Sequence, residues 1–296
     1  MAHAQFSPLP NRAAIRVTGE DRAAFLQGLI SNDIERVARG NAIWAAFLTP
    51  QGKFLHEFFI APAGDSFLLD CEAERRDDLL TRLSRFRLRA KVELAAEESL
   101  IIAAAWGGAI GLKVGTCETV GTGVAFGDPR LPDLGTRLIA PEPGIKAWCG
   151  DRECQRSTPE AYDAHRIALG VPDGSRDMEI EKALLLESGF AELHGVDFKK
   201  GCYIGQELTA RTHYRALIKK RLLPVTIEGN DPPPGTLLTV DGKDAGEMKS
   251  SINGHGLALV RLARWRDAPD GALLAGDAKV RPKPQAWMKL PDPDES

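Results

Sequence analysis

The residues best suited to chemistry lie in one segment, residues 198–225, which contains Cys202. Gly201 and Gly205 stand on either side of Cys202, and glycines permit backbone angles that let another molecule approach closely. Two lysines precede the first glycine, and Arg211 follows the second. Cations near a thiol favour the thiolate, which is the form that attacks electrophiles and binds metals. The pattern predicts a reactive cysteine, although a structural cysteine fits the same residue types.

The same segment concentrates positive charge and places Gln206 and Glu207 about one turn beyond the thiol, if a helix begins there. A helix N-terminus would stabilise a thiolate further. Two interpretations of the positive charge stay open: a solvated surface, or a site for a carboxylate tail or a phosphate. Glu207 is the only acidic residue between positions 199 and 221, and the basic residues there are Lys199, Lys200, Arg211, Arg215, Lys219, Lys220 and Arg221.

The other cysteines give no metal-binding pattern. The five cysteines are scattered, no CxxC pair occurs, and His213 stands eleven residues after Cys202 without a partner pair. We therefore predict no metal site within the chain. One thiolate cannot complete a four-ligand cluster site, so a cluster bridged between Cys202 and a partner's cysteines stays open.

The elements that must position these residues form an α+β pattern in the first half of the chain. A turn over residues 49–52 between two apolar runs predicts a hairpin, and leucines at helical spacing predict a helix. The predicted strands are residues 12–17, 43–48, 53–60, 66–71, 92–94 and 100–106, and the predicted helices lie around residues 25–30 and 75–86.

The second half of the chain is predicted to be more irregular. Residues 107–150 are rich in Gly and Pro with short strands, and helices are predicted over 158–169 and 179–186. Residues 231–235, DPPPG, are the most linker-like stretch. Short β-prone runs at 222–227, 236–240, 256–261 and 278–280 predict a small C-terminal β-barrel.

Composition excludes several classes of protein. The 296 residues allow two or three compact units, and 43% hydrophobic residues fit a chain with a substantial core. A net charge of −3 argues against direct nucleic-acid binding. No run approaches the roughly 18 apolar residues of a membrane helix, and the first residues resemble no secretory or transit signal. We therefore expect a cytoplasmic protein that does not insert into membranes.

The run KGCYIGQE, Lys200 to Glu207, resembles the signature of the YgfZ-type folate-binding proteins, relatives of the glycine-cleavage T-protein. Continued through LTARTH and KKRLLPV, it is similar to the subgroup that includes mitochondrial iron–sulfur assembly factors. The resemblance is nearly full length and is weak only between about residues 61 and 151. Further matches lie at residues 19–33, at TPQGK (49–53), at Arg166 with GVP (170–172), at LESG (186–189) and at GEMKS (246–250), which resembles a turn of the C-terminal barrel.

The resemblance implies a T-protein-like three-domain ring, with two interleaved ferredoxin-like domains in residues 1–221 and a C-terminal β-barrel in residues 222–296. It also implies that tetrahydrofolate, or a derivative, binds in a central hole. Glu187 matches the carboxylate that contacts the pterin, and a carboxylate can accept two hydrogen bonds from an aminopyrimidine edge. A surface acid at a helix end is the alternative for Glu187. The other expected cofactor-binding residues are Lys200, Gly201, Tyr203, Gln206 and Arg211.

One departure from the family pattern concerns the acidic pair that T-proteins carry after the hairpin glycines. Leu55 and His56 occupy those positions here, and Glu57 would face the other side of the strand from His56. Without a carboxylate at the reacting carbon, aminomethyl transfer lacks its acid–base group. The sequence therefore argues against simple aminomethyltransferase activity and leaves open whether the chain is an enzyme at all.

The predicted function is that of a folate-binding accessory factor for the assembly or maintenance of iron–sulfur proteins, with Cys202 as the working thiol. Its expected partners are cluster-assembly proteins and [4Fe–4S] client enzymes. Two alternatives stay open. One is a folate-dependent methyl or aminomethyl transferase acting on an unknown substrate, and the other is a folate-binding module without chemistry, in which Cys202 only packs.

Overall fold

The computed structural model describes residues 3–108, 110–214 and 218–291. These residues pack as two compact units that exchange segments along the chain. The first unit contains residues 3–48, 55–162 and 193–204, and the second contains residues 49–54, 163–192 and 205–291, within the described ranges. The Cys202 loop therefore belongs to the first unit, while the Glu187 segment belongs to the second.

A five-stranded sheet with the order β3-β4-β5-β2-β6 forms one layer of the first unit. Its inner face is apolar, with residues such as Ile15, Phe58 and Leu69 fully buried, and helix α3 packs on it through Leu79 and Leu83. The elements are β2 (Arg12–Thr18), α1 (Arg22–Gln27), α2 (Glu35–Ala38), β3 (Ile43–Leu48), β4 (Phe54–Ala63), β5 (Ser66–Glu72), α3 (Arg76–Arg85) and β6 (Glu93–Ala96).

A six-stranded sheet with the order β11-β1-β7-β10-β9-β8 forms the other layer of the first unit. Helix α4 covers it through Ile145 and Trp148. The elements are β1 (Gln5–Pro8), β7 (Ile101–Trp106), β8 (Cys117–Val120), β9 (Gly123–Gly127), β10 (Thr136–Ala140), α4 (Glu142–Gly150) and β11 (Gln155–Arg156). Strand β1 belongs to this sheet, strands β2 to β6 then form the five-stranded sheet, and strands β7 to β11 complete the six-stranded sheet. The predicted interleaving of two α+β layers is therefore confirmed.

The second unit contains a closed six-stranded barrel with the order β12-β15-β14-β13-β16-β17, as predicted. Its interior holds aliphatic side chains such as Leu223, Met248 and Val260. The barrel elements are β12 (Lys220–Glu228), β13 (Leu237–Val240), β14 (Lys243–Ile252), β15 (His255–Arg261), α8 (Leu262–Arg266), β16 (Leu273–Ala275) and β17 (Ala278–Pro282). The rest of the unit contributes α5 (Pro159–Ala168), whose first four residues belong to the first unit, α6 (Gly174–Asp177) and α7 (Gln206–Tyr214).

Two local predictions are wrong. Residues 179–186 form turns and a short 3₁₀ segment, Leu185–Ser188, instead of a helix. Residues 246–250 lie inside strand β14 instead of forming a turn, and the register of its pairing with β15 shifts between Met248 and Ser250. The linker-like residues 231–235 join β12 to β13, so they connect two strands of one barrel. The boundary proposed between residues 221 and 222 stays a prediction.

No helix among the described residues is both long enough and apolar enough to cross a membrane.

Candidate functional site

Cys202 lies in an exposed loop of the first unit. Gly201 has a φ of 89°, an angle that glycine adopts far more readily than other residues. The Cys202 side chain makes no hydrogen bond with any residue that the structure describes, whereas Tyr203 beside it is buried. The thiol is therefore presented to solvent by a loop whose next residue is anchored in the protein.

Lys200 holds this loop against the end of helix α1. Its ammonium group donates hydrogen bonds to the carbonyl oxygens of Gln27 and Ile30, both at 2.6 Å. Burial lowers the pKa of Lys200 to about 8, although the carboxylates of Asp33 and Asp197 act in the opposite direction. The ammonium of Lys200 thus stabilises the partial negative charge of backbone carbonyls at the C-terminus of α1 and just after it. Its predicted contact with a folate stays a prediction.

Two further contacts fix the loop on the side of Tyr203. The Lys200 ammonium lies 4.9 Å from the centre of the Tyr203 ring, within the range of a cation–π interaction. The backbone N–H of Ile204 donates to the carbonyl of Gly28 at 3.1 Å. Cys202 is therefore flanked on both sides by residues that are tied to the α1 region.

The other thiols have different surroundings. Cys71 and Cys149 are buried, and burial raises the pKa of each to about 12. Cys117 and Cys154 are half-buried, and desolvation raises the pKa of Cys117 to about 11. Cys202 is the only one of the five cysteines that is exposed, which separates it from thiols suited only to packing.

Glu187 lies in the 3₁₀ segment of the second unit, and its carboxylate is half-buried. Desolvation raises its pKa, and the positive charges of Lys220, Lys53 and Arg261 partly oppose this shift. The carboxylate makes no hydrogen bond or ion pair within the described ranges. A half-buried acceptor with unused lone pairs and cations around it fits a ligand that donates hydrogen bonds, such as an aminopyrimidine.

Arg221 positions the backbone next to Glu187, a role that sequence reasoning missed because the pattern groups Arg221 with the surface cations. Its buried guanidinium donates to the Leu186 carbonyl at 2.6 Å and to the Glu192 carboxylate at 2.7 Å. Gly189 has a φ of 81°, and a Cβ there would lie 3.3 Å from the guanidinium. Gly189, which ends the Glu187 segment, is the sequence signal that could have suggested close packing of another side chain against this segment.

The remaining predicted residues lie on helix α7 of the second unit. Gln206 is half-buried at its start, and Arg211 is exposed in its last turn. The basic residues therefore differ in role, since Arg221 is buried, Lys200 binds carbonyls and Arg211 faces solvent. Arg215, another member of the basic set, lies outside the described residues.

The predicted site residues fall into two groups. Lys200, Gly201, Cys202 and Tyr203 are consecutive in the first unit, and Glu187, Gln206 and Arg211 belong to the second. In the described part of the chain, no group of three or more His, Cys, Asp or Glu residues is placed to hold a metal ion.

The residues at the T-protein acid positions are engaged within the first unit. The His56 ring nitrogen Nε2 lies 2.9 Å from the Asp78 carboxylate, and burial lowers the pKa of His56 to about 4. Glu57 points to the other side of β4, where it pairs with Arg12 and accepts a hydrogen bond from the Trp44 indole at 2.5 Å. The predicted opposite orientation of these two side chains is confirmed.

Comparison with known proteins identifies the family. The family model "CAF17, C-terminal beta-barrel domain" matches residues 219–290. Iron-sulfur cluster assembly factor IBA57, mitochondrial, from Homo sapiens is 34% identical over 290 residues, covering 90% of this chain and 78% of that protein. The chain belongs to the IBA57 family. Its mouse member is also 34% identical, with 86% and 76% covered, and a homologue from Mycosarcoma maydis is 30% identical, with 89% and 76% covered.

The fold of this IBA57-family chain is that of the T-protein. The crystal structure of glycine cleavage system aminomethyltransferase T from Bartonella henselae matches with a TM-score of 0.76 and 14% identity, covering 97% of this chain and 87% of that one. The predicted T-protein-like fold and family resemblance are therefore confirmed.

The predicted cytoplasmic location is wrong by the same comparison, because these IBA57 relatives are named as mitochondrial proteins. The prediction relied on the composition of the first residues alone, and such weak signals do not decide a compartment.

Proposed function

We propose that this IBA57-family chain is a folate-binding accessory factor for the assembly or maintenance of iron–sulfur proteins, with Cys202 as its working thiol. The role in cluster assembly follows from membership of a family of assembly factors. The proposed role of the thiol rests on one observation: Cys202 is exposed on a loop that Lys200 anchors to the carbonyls of Gln27 and Ile30.

An anchored, exposed thiol is suited to handling a cluster or a partner's sulfur. Its loop keeps a defined position because the flanking residues are bonded to the protein, so little conformational freedom is lost when a partner binds. Thiolates are the usual protein ligands of iron–sulfur clusters. The partners implied by this chemistry are cluster-assembly proteins and [4Fe–4S] client enzymes, whose own cysteines would supply the remaining ligands.

Folate is assigned to the Glu187 carboxylate. That carboxylate has free acceptor capacity, and Lys53, Lys220 and Arg261 keep the site cationic. A reduced folate carries an aminopyrimidine that donates hydrogen bonds and a glutamate tail that is negatively charged, and both features suit these side chains. When bound, a folate supplies one-carbon carrier chemistry.

Transfer of a one-carbon unit is the weaker candidate. Glu57 directly follows the T-protein catalytic positions in the sequence, and its two carboxylate oxygens are occupied by Arg12 and Trp44. Leu55 cannot move a proton, and His56 is buried beside Asp78. We therefore expect no turnover of tetrahydrofolate when an amine donor is supplied.

The folate assignment is tested by calorimetric titration of tetrahydrofolate into the wild type, Glu187→Gln and Glu187→Ala. Loss of a charge-assisted hydrogen bond, worth about 1.5–3 kcal/mol, should weaken binding about tenfold or more. Glu179→Gln removes an exposed carboxylate of the same unit and should leave the affinity unchanged.

The affinity for tetrahydrofolate should also fall as the pH is lowered and Glu187 becomes protonated. This fall should begin at a higher pH than for an ordinary glutamate, because the pKa of Glu187 is raised.

Two results would contradict this assignment. Equal affinity of folded Glu187→Ala and the wild type would mean that the pteridine binds elsewhere. Consumption of tetrahydrofolate in the presence of an amine donor would instead favour the transferase.

A further inference from the structure

A polar cleft of about 480 Å³ opens on the first unit, and neither the Cys202 loop nor Glu187 lines it. Helix α2 and the residues after it form one wall, with Arg36, Arg39 and Asn41. His194 and the segment at Val114 contribute to the other sides. The volume is within the roughly 300–1,000 Å³ that is typical of small-molecule sites.

The charge of this cleft is positive and is not neutralised locally. Arg36 stands in the last turn of α2 and Arg39 is the residue that ends it. Both are exposed, and neither guanidinium forms a hydrogen bond or ion pair with any residue in the described ranges. No aspartate or glutamate is among the described residues that line the cleft. By contrast, the guanidinium groups of Arg12, Arg130 and Arg137 in the same unit are paired with carboxylates.

The walls of the cleft are fixed by hydrogen bonds to backbone carbonyls. The amide of buried Asn32 donates to the carbonyls of Trp44 and His194, both at 2.7 Å. The backbone N–H of Ala42 donates to the carbonyl of Gly115 at 2.7 Å, which joins two sides of the cleft. The arginine side chains therefore project from a rigid frame into a preformed concave surface.

We propose that this cleft binds a small oligo-anion, a molecule with two or more phosphate or carboxylate groups. A guanidinium can bind one such group through two parallel hydrogen bonds, and the two arginines stand three residues apart around one helix end, so that they can share one ligand. The Asn41 amide and the His194 ring offer additional donors. This proposal is independent of folate binding, because it uses none of the residues assigned to folate.

The test is a calorimetric titration of two probes, inorganic tripolyphosphate and citrate, into the wild type, Arg36→Gln, Arg39→Gln and the double variant. Arg85→Gln is the matched control, because Arg85 is also an exposed arginine in the last turn of a helix of this unit but does not line the cleft. Titrations at about 150 mM salt limit non-specific attraction between exposed charges. Melting temperatures confirm that each variant is folded.

We expect saturable one-site binding of at least one probe, weakened about tenfold or more in each single variant and abolished in the double variant. Tighter binding of tripolyphosphate would assign the site to phosphate compounds, and tighter binding of citrate would assign it to polycarboxylates. Arg85→Gln and Glu187→Gln should bind as the wild type does. Absence of binding by both probes, or equal binding by the folded double variant, would overturn the proposal.

Discussion

At the scale of single residues, solvent access separates Cys202 from the other four thiols. Cys71 is 1% exposed in strand β5, and burial raises its pKa to about 12. Cys202 is exposed beside Gly201. Alkylation requires both access and the thiolate form, so these two cysteines represent the extremes of expected reactivity in this chain.

We predict that a limiting amount of iodoacetamide labels Cys202 before the other cysteines and Cys71 last or near last. Peptide mass spectrometry after short exposures at neutral pH gives the order directly. Denatured protein, in which all five thiols are accessible, supplies the control for intrinsic differences between peptides. Labelling of Cys71 at the rate of Cys202 in the native protein would contradict the proposed environment of the thiol.

At the scale of elements, the hairpin between β3 and β4 depends on one glycine. Gly52 has a φ of 81°, and a Cβ there would lie 2.6 Å from the Gly205 carbonyl oxygen and 2.7 Å from the Leu208 Cβ. Gly205 directly precedes helix α7 and Leu208 lies in its first turn, both in the same unit as Gly52. The hairpin turn can approach this helix only because residue 52 has no side chain.

We predict that Gly52→Ala destabilises the protein more than Gly40→Ala does. Gly40 has a φ of 92°, but a Cβ at that position would meet no described atom within 4 Å, so its variant suffers only the unfavourable backbone angle, about 1–2 kcal/mol. Gly52→Ala adds a steric conflict of roughly 1–3 kcal/mol. Urea unfolding of both variants measures the difference, and equal free energies of unfolding would show that the turn can move away from α7.

Elements with a strong local pattern were predictable from the sequence, whereas others depend on distant contacts. The run Ile43–Leu48 consists of six apolar residues, and it forms a fully buried strand as predicted. Residues 179–186 have helical periodicity, but Phe54 forms backbone hydrogen bonds with Glu181 and Ala183. These bonds, together with a φ of 61° at Glu181, replace the helix. A partner more than 100 residues away in the chain cannot be read from local periodicity.

In the candidate site, too, some features follow from local residue types and others from distant contacts. Its thiol could be identified from the glycines and lysines around it, because those residue types act locally. The anchoring of Lys200 on the carbonyls of Gln27 and Ile30 could not, since those residues precede it by 173 and 170 positions. The buried position of Arg221 was missed for the same reason: its partners Leu186 and Glu192 come from another segment.

At the scale of the whole molecule, the loop that has the composition of a linker connects two strands of the closed barrel. Residues 229–235 are exposed apart from Pro232. Asp231 accepts a hydrogen bond from the Gly254 backbone N–H, and the Gly235 N–H donates to the Met248 carbonyl. Strand β12 before the loop pairs with β15 and β17, and β13 after it pairs with β14 and β16.

We predict that limited proteolysis cuts first in residues 229–235 and that the two fragments stay together afterwards. Exposed loops rich in proline and glycine are preferred sites of nicking. The N-terminal fragment would keep β12, which pairs with β15 and β17 of the C-terminal fragment in the one barrel. Size-exclusion chromatography before and after denaturation distinguishes the outcomes. Separation of the fragments under native conditions would mean that the loop joins independent parts after all.

We propose above that the chain acts in cluster assembly through the Cys202 thiol. The most direct test measures the activity of an endogenous [4Fe–4S] enzyme in a strain that lacks this protein and expresses Cys202→Ala, with Cys154→Ala, a half-buried thiol of the same unit, as the matched control. We expect Cys202→Ala to leave enzyme activity at the level of the deletion strain, and Cys154→Ala to restore it. The purified Cys202→Ala protein should keep its stability within about 0.5 kcal/mol of the wild type, because an exposed side chain adds little to packing. Full restoration of the enzyme's activity by Cys202→Ala, at equal protein levels, would contradict a role for the Cys202 thiol in cluster assembly.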